Sequence, residues 1–209
     1  MSITVGGTNI TMNDSTVQAT AFLGAGGQTF TANGTFTIPA GVTAVKVTVI
    51  GGGGGGGGGG STGGTFIGGA GGGAGGAVSF LTGLTPGNTL SVTVGAYGTG
   101  GAIGNNGTDG GNSILASDTQ SISTITGNGG HAGSYGQYGG SYGGGGGYSS
   151  GGTLNLNGGG GNCGGDYLTF VGISNGGVGA CISGVGNGGY GNYSPAGGAG
   201  TPGAIVFEW

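Results

Sequence analysis

Alternating apolar and polar residues predict several short β-strands, and no segment has the spacing of an amphipathic helix. Residues 44–49 read AVKVTV, which predicts a half-buried strand with Lys46 on its wetter face. Further strand patterns occupy residues 77–81 (AVSFL), 89–97 (TLSVTVGAY) and 203–209 (GAIVFEW). In the last of these, every second residue from Ile205 to Trp209 is large and apolar. These segments predict one antiparallel, sandwich-like sheet system.

Turn residues separate the predicted strands. Asn33-Gly34 lies between Phe30 and Phe36, and this dipeptide is typical of a hairpin turn between paired strands. Pro39-Ala40-Gly41 marks a second turn, and Thr85-Pro86-Gly87-Asn88 marks a third.

Glycine dominates the rest of the chain, with 69 of the 209 residues. The longest tracts lie at 51–60, 68–77, 143–147, 158–161 and 197–200. A polyproline II helix has three residues per turn and no internal hydrogen bonds, so glycine helices of this kind can bond sideways to one another. We therefore predict an all-β fold with an irregular glycine-rich part: a small antiparallel framework plus layers of polyglycine II helices, with essentially no α-helix.

Two regions differ in composition. Residues 1–28 are polar and rich in Thr and Asn, and they are too short to form a core of their own. We expect them to form a stem in which Ile3, Val5, Ile10 and Val17 pack against a partner chain. Residues 29–209 form the glycine-rich domain.

The charge content excludes several functions. The chain has one basic residue and a formal net charge of −4, so it cannot neutralise a run of phosphates and is not expected to bind nucleic acid. It has no apolar run long enough to cross a bilayer, and its first residues do not form a secretory signal peptide. We expect a protein that is not inserted in a membrane.

Candidate chemistry is sparse. Cys163 and Cys181 are 18 residues apart without a second metal-ligand pair, which favours free, partly buried thiols over a zinc site or a disulfide. His131 has no nucleophile motif beside it and is expected to be an exposed loop residue. We predict no catalytic residues, no metal, no cofactor and no enzymatic activity.

Side chains that interrupt the glycine tracts are the best candidates for recognition. They cluster at 131–142, 163–174 and 190–196, and seven of the eight tyrosines follow residue 130. Tyrosine with Ser, Asn and Gly is the composition of binding loops, which favours binding over the alternative that these rings are spacers on the glycine layers. We expect the loops to converge at one end, and the candidate binding residues are Tyr135, Tyr138, Tyr142, Tyr148, Tyr167, Phe170, Tyr190, Asn192 and Tyr193.

Four segments carry a family resemblance: TFTIPAGVTAVKVTVIGGGGGGGG (35–58), LTGLTPGNTLSVTVGAYGTGG (81–101), TLNLNGGGGN (153–162) and GGAGTPGAIVFEW (197–209). In this order they resemble the glycine-rich domain at the ends of bacteriophage tail fibres. It is related to the distal adhesins of T-even-like phages, in which stacked polyglycine II helices carry variable loops that touch the host receptor.

The resemblance implies a non-catalytic, receptor-binding tip on the tail fibre of a virion. Its partners would be the rest of the fibre and a bacterial outer-membrane protein or surface polysaccharide, and phage fibres are commonly homotrimers. Two other interpretations stay open: an adhesin tip on a bacterial surface or predation fibre, and a purely structural cap that ends a fibre.

Overall fold

The computed structural model describes residues 4–6, 9–11, 17–18, 25–60, 68–137, 140–164, 176–180, 184–191 and 196–209. No helix of the α type occurs in these ranges, and the strands form antiparallel sheets, which confirms the predicted all-β class.

Thirteen strands lie in the described part of the chain. They are β1 (Thr4–Gly6), β2 (Asn9–Thr11), β3 (Val17–Gln18), β4 (Gly27–Phe30), β5 (Gly34–Thr37), β6 (Ala44–Ile50), β7 (Gly76–Thr82), β8 (Thr89–Thr93), β9 (Ser113–Ser117), β10 (Ile125–Gly127), β11 (Ser149–Ser150), β12 (Leu154–Leu156) and β13 (Ala204–Glu208). Strands β1–β3 form a small sheet of their own, and β4 already includes the last two residues of the predicted stem.

Two five-stranded antiparallel sheets form a sandwich, with strand orders β12-β7-β6-β13-β4 and β11-β10-β9-β8-β5. The core between them is apolar and closed, because each sheet contributes one face of alternating buried residues. At its centre the ring of Phe36 stacks on that of Phe207, with centroids 3.8 Å apart and planes 7° apart. The predicted alternation along β6 is confirmed for its core face, where Val45, Val47 and Val49 are buried.

The hairpin predicted at Asn33-Gly34 is wrong. Strand β4 pairs with β13 in one sheet, and β5 pairs with β8 in the other, so the chain crosses between the sheets at this point. The crossing lets Phe30 and Phe36 approach Phe207 from opposite sheets, and the contacts of both rings with Phe207 bury apolar surface. The Asn33 side chain stabilises the segment that crosses between the sheets, because its Oδ1 accepts a hydrogen bond from Val94 N at 2.8 Å.

The other two predicted turns are present. Val42 N donates to Pro39 O at 3.1 Å, and Asn88 N donates to Thr85 O at 3.1 Å. Gly41 and Gly87 have φ values of 80° and 88°, which explains why glycine is needed in each turn.

In the described ranges, ten glycine-rich segments form hydrogen-bonded helices that we label PG1–PG10. Their ranges are PG1 51–60, PG2 68–75, PG3 95–102, PG4 105–112, PG5 128–137, PG6 142–148, PG7 157–164, PG8 176–180, PG9 186–191 and PG10 196–203. Their hydrogen bonds repeat every three residues, as a polyproline II-type helix requires. Along PG1, for example, Gly51, Gly54 and Gly57 donate to PG2.

The hydrogen bonds arrange these helices in layers of three, four and three: PG4-PG5-PG6, then PG3-PG1-PG2-PG7, then PG10-PG9-PG8. PG1 and PG2 are each surrounded by six other helices. The N–H groups of PG1 bond to the antiparallel helices PG2, PG4 and PG10, and its carbonyls accept from the parallel helices PG3, PG5 and PG9. The predicted layers of parallel and antiparallel glycine helices are confirmed.

The close approach of backbones explains the glycine content. Residues 51–59 are buried, and a Cβ on any glycine from Gly52 to Gly58 would collide with a neighbouring carbonyl. In the outer helix PG5 only the inward-facing position repeats as glycine, at Gly130, Gly133 and Gly136. Most of the positions between them carry side chains, including His131, Ser134 and Tyr135.

Candidate functional site

The direction of each glycine helix gives the molecule two different ends. PG1, PG3, PG5 and PG7 each follow a strand and run away from the sandwich, and PG2, PG4, PG6 and PG10 run back into the next strand. The chain therefore reverses repeatedly at the end away from the sheets, which we call the distal end. Its described flanking residues are Gly60, Gly68, Ile103, Gln137, Gly140, Gly164, Gly176, Gly191 and Ala196.

The opposite pole holds the point where the N-terminal segment enters. Gly26 N donates to Trp209 O at 2.7 Å, and Trp209 N donates back to Gly26 O at 2.9 Å. Strand β13 runs from the glycine helices at Ala204 toward Trp209, so Gly26 lies at the end of the sheet farthest from those helices. Residue 26 and the distal end are thus at opposite ends of the domain.

Four of the nine predicted binding residues lie in the described part of the chain. Tyr142 begins PG6 at the distal end and is 74% exposed, and Tyr135 is half-buried in the last turn of neighbouring PG5. Tyr190 is exposed on PG9, in the opposite outer layer, where its ring lies against Gly198. The structure therefore brings Tyr135 and Tyr142 together but places Tyr190 on another side.

Tyr148 is separated from these residues. It ends PG6 next to β11, at the sandwich end of the helix, and is 61% exposed. The remaining five predicted residues lie outside the described ranges: Tyr138, Tyr167, Phe170, Asn192 and Tyr193.

Ile103 is a distal residue that the sequence reasoning missed. It is 48% exposed in the turn between PG3 and PG4, where Gly104 has a φ of 74° and donates its N–H to Gly59 O at 2.7 Å. Asn105 Nδ2 donates to Ile103 O at 3.3 Å. A bulky apolar residue within the otherwise small and polar GAIGNNG segment was the available signal.

The described charges lie away from the distal end. Lys46 Nζ and Glu208 Oε2 form an ion pair at 2.7 Å on the sandwich, and Asp118 lies in the turn between β9 and β10. Asp109 lies in the middle of PG4, opposite His131 of PG5. Tyr135, Tyr142 and Ile103 consequently have only uncharged side chains among their described distal neighbours.

His131 and Asp109 have structural contacts that account for both side chains. His131 Nδ1 lies 3.3 Å from Asp109 Oδ2, and Asp109 Oδ1 accepts from Ala132 N at 2.7 Å. The His131 ring also lies beside Gly145 of PG6. The side chain is exposed as predicted, but it lies on a glycine helix rather than in a loop.

The Cys163 thiol is free but exposed, so the predicted partial burial is wrong for this residue. It lies near the end of PG7, where the outward position of a glycine helix faces solvent. Cys181 lies outside the described ranges. Within the described ranges, no three His, Cys, Asp or Glu side chains are grouped as metal ligands, and no helix could cross a membrane.

Comparison with protein families identifies the kind of domain. A family model described as a glycine-rich domain matches residues 28–208, which covers the sandwich strands except Gly27 and all ten of the glycine helices described above. No curated protein matches the chain.

Proposed function

The chain belongs to the glycine-rich domain family, and from that premise we propose that it is the non-catalytic receptor-binding tip of a phage tail fibre. Its distal end contacts a protein or polysaccharide on the bacterial surface, and its N-terminal segment attaches it to the rest of the fibre. Its place of action is the outside of the virion. The resemblance of the four sequence segments to tail-fibre tips supports this assignment.

The observation that carries the proposal is the polarity of the domain. A fibre tip needs its attachment at one pole and its binding surface at the other. Gly26 enters at the Trp209 end of the sheet, whereas the chain reversals lie beyond the glycine helices. At about 3 Å per residue, PG1 alone separates the sandwich from the distal end by nearly 30 Å.

The binding surface suits an uncharged contact. Tyr142 presents most of its ring to solvent, Tyr135 lies on the adjacent helix, and Ile103 adds an exposed apolar side chain at the same end. Aromatic rings stack on sugars and on apolar protein surfaces, and they lose little rotamer freedom on binding. The hydrogen-bonded glycine helices hold their attachment points in place, which lowers the entropy cost of binding.

A cell-binding assay tests the proposal with a matched pair of variants. Fluorescently labelled protein is titrated onto a panel of bacterial strains, first as wild type and then as Tyr142→Ala and Tyr148→Ala. Both side chains are exposed on PG6, but only Tyr142 is distal. We expect Tyr142→Ala to weaken binding by about 2 kcal/mol, as for a hot-spot tyrosine, and Tyr148→Ala to leave it unchanged.

Thermal denaturation of both variants supplies the control, because exposed side chains contribute little to stability. If the wild-type protein binds no strain, the structural cap is favoured. In that alternative the tyrosines are spacers, and the Tyr190 ring, which lies against Gly198, is an example. Equal losses in the two variants would remove the distal end as the binding surface. Release of sugars or peptides from treated cells would contradict the non-catalytic assignment.

A further inference from the structure

Side-chain oxygens complete the hydrogen bonding of the outer glycine helices in a regular way. In PG5 each turn has three N–H groups, and in the last turn Ser134 N donates to Tyr142 O of PG6 at 3.0 Å. Gly136 N donates to Gly58 O of PG1 at 2.8 Å. The third group, Tyr135 N, donates to the side chain of Asn106 at 2.9 Å.

The same arrangement repeats along the whole interface between PG4 and PG5. Asn106, Asp109 and Asn112, spaced three residues apart, accept from the N–H groups of Tyr135, Ala132 and Gly129 at 2.9, 2.7 and 3.0 Å. Asn106 forms the distal bond of this series, and Asn112 forms the one next to β9. The PG4–PG5 interface thus has an asparagine at each end, and both asparagines accept the same kind of bond from PG5.

Two serines make comparable bonds at the distal end. Ser134 Oγ accepts from Tyr142 N at 2.6 Å and lies 3.2 Å from Tyr142 O, so it joins the two sides of the PG5–PG6 connection. Ser141 Oγ accepts from Gly164 N at 3.1 Å, which joins PG6 to the end of PG7. With Asn106, these residues link four successive helices at one level, and we call the three side chains the distal clamp.

We propose that the distal clamp, Asn106, Ser134 and Ser141, positions the ends of the chain connections that carry the receptor-binding side chains. This inference rests on the proposed function. The clamp residues act through the backbone of Tyr135, Tyr142 and Gly164, so they are positioning residues rather than receptor contacts. At the distal end these side chains accept N–H groups of PG5, PG6 and Gly164 of PG7, as backbone carbonyls do for the enclosed helices PG1 and PG2.

Hydrogen exchange measured by mass spectrometry tests the clamp directly. The variants are Asn106→Ala and Ser134→Ala, with Asn112→Ala as the matched control and Ser134→Thr as the conservative replacement that keeps the hydroxyl. We expect amides in 134–142 to exchange about tenfold faster in the two clamp variants, because each loses a bond that closes the distal turn. In Asn112→Ala the faster exchange should be confined to residues near Gly129.

Cell binding then separates positioning from general stability. Asn106→Ala and Ser134→Ala should weaken binding by about tenfold, whereas Asn112→Ala, which loses an equivalent bond, should bind as wild type does. Ser134→Thr should restore both binding and slow exchange. A distal exchange pattern identical to that of wild type would overturn the clamp, and so would equal binding losses for Asn106→Ala and Asn112→Ala.

The two proposals fail in different ways. Wild-type protein that binds no strain counts against receptor binding, while the exchange comparison still decides whether the three side chains hold the distal turns. Tight wild-type binding that is unaffected by the clamp variants supports the receptor-binding tip and overturns the clamp.

Discussion

Individual glycines of the lattice differ in what an added side chain would meet. Gly55 donates its N–H to Thr108 O and accepts from Gly133 N, both at 2.9 Å, and a Cβ there would collide with the backbone of Thr99. Gly160 is exposed, and the nearest atom to its Cβ position is Gly144 O at 3.7 Å. The identity of a residue as glycine therefore does not indicate how tightly its position is packed.

We predict that Gly55→Ala lowers the free energy of unfolding by about 3 kcal/mol, because no neighbouring backbone can move without losing hydrogen bonds. Gly160→Ala should change it by no more than about 0.5 kcal/mol, since the methyl group would make only an ordinary van der Waals contact with Gly144 O. Denaturant titration of the three proteins measures both values. Equal stability of the two variants would mean that the enclosed helices shift aside freely.

At the level of strands and helices, the sequence predicts where a strand lies better than it predicts which other strand it pairs with. The alternation in 44–49 and 203–209 identifies β6 and β13 because a sheet with one buried face imposes that period. Strands β9–β12 were not predicted. Strand β9 (Ser113–Ser117) buries Ser113 as well as Leu115, so its core face is not an apolar alternation, and β10–β12 have only two or three residues each. The Asn33-Gly34 pattern gave a wrong hairpin because burial against Phe207 decides the pairing of both strands.

The glycine layers were predictable from composition, but their order was not. A tract such as 51–60 has no side chain that could specify its neighbours. The order is set by the strand from which each helix starts and by the side chains of the outer helices. The same holds for the candidate site. The sequence identified tyrosines as candidate binding residues, but it could not show that Tyr142 and Tyr148 lie at opposite ends of one helix.

Insertions should therefore have different effects in an all-glycine helix and in an outer helix that carries side chains. An extra glycine between Gly57 and Gly58 leaves a tract of identical residues, so the helix can keep its bonds and pass one residue into the following connection. The free energy of unfolding should fall by less than about 1 kcal/mol, the cost of a slightly longer loop. Denaturant titration checks this value.

An insertion between Gly133 and Ser134 is the matched comparison. It would move Tyr135 into the buried position of Gly136, which faces PG1. We expect a loss of about 2–3 kcal/mol from overpacking, or local unfolding of the distal turn. If both insertions cost the same, the side chains of PG5 do not set its register.

For the whole molecule, the N-terminal segment leads to a prediction about assembly. Strands β1–β3 have three, three and two residues, and such a sheet is not expected to be stable alone. Symmetric association would bury the apolar residues of this region. We predict a homotrimer, so light scattering on the full chain should give three times 19.0 kDa.

Deletion of residues 1–24 should give a folded monomer, because the sandwich and glycine helices bond within one chain. Circular dichroism and thermal denaturation would show that the shortened chain keeps its fold. A full-length monomer would contradict the assembly, and a trimer that survives the deletion would place the contact on the glycine-rich domain instead.

Salt should have little effect on the attachment of the whole domain to cells. Attraction between charges weakens as ionic strength rises, and at about 0.5 M salt it is screened beyond a few ångströms. The described charges are an ion pair on the sandwich, Asp118 near it, and Asp109 beside His131 in mid-lattice. An association through Tyr142, Tyr135 and Ile103 would not use any of them. We therefore expect the dissociation constant for cells to change by less than about twofold between roughly 0.05 and 0.5 M sodium chloride. Surface-based binding measurements across this range, with the Tyr148→Ala variant as a second reference, provide the test, and a tenfold or larger weakening would show that the receptor is held by charge.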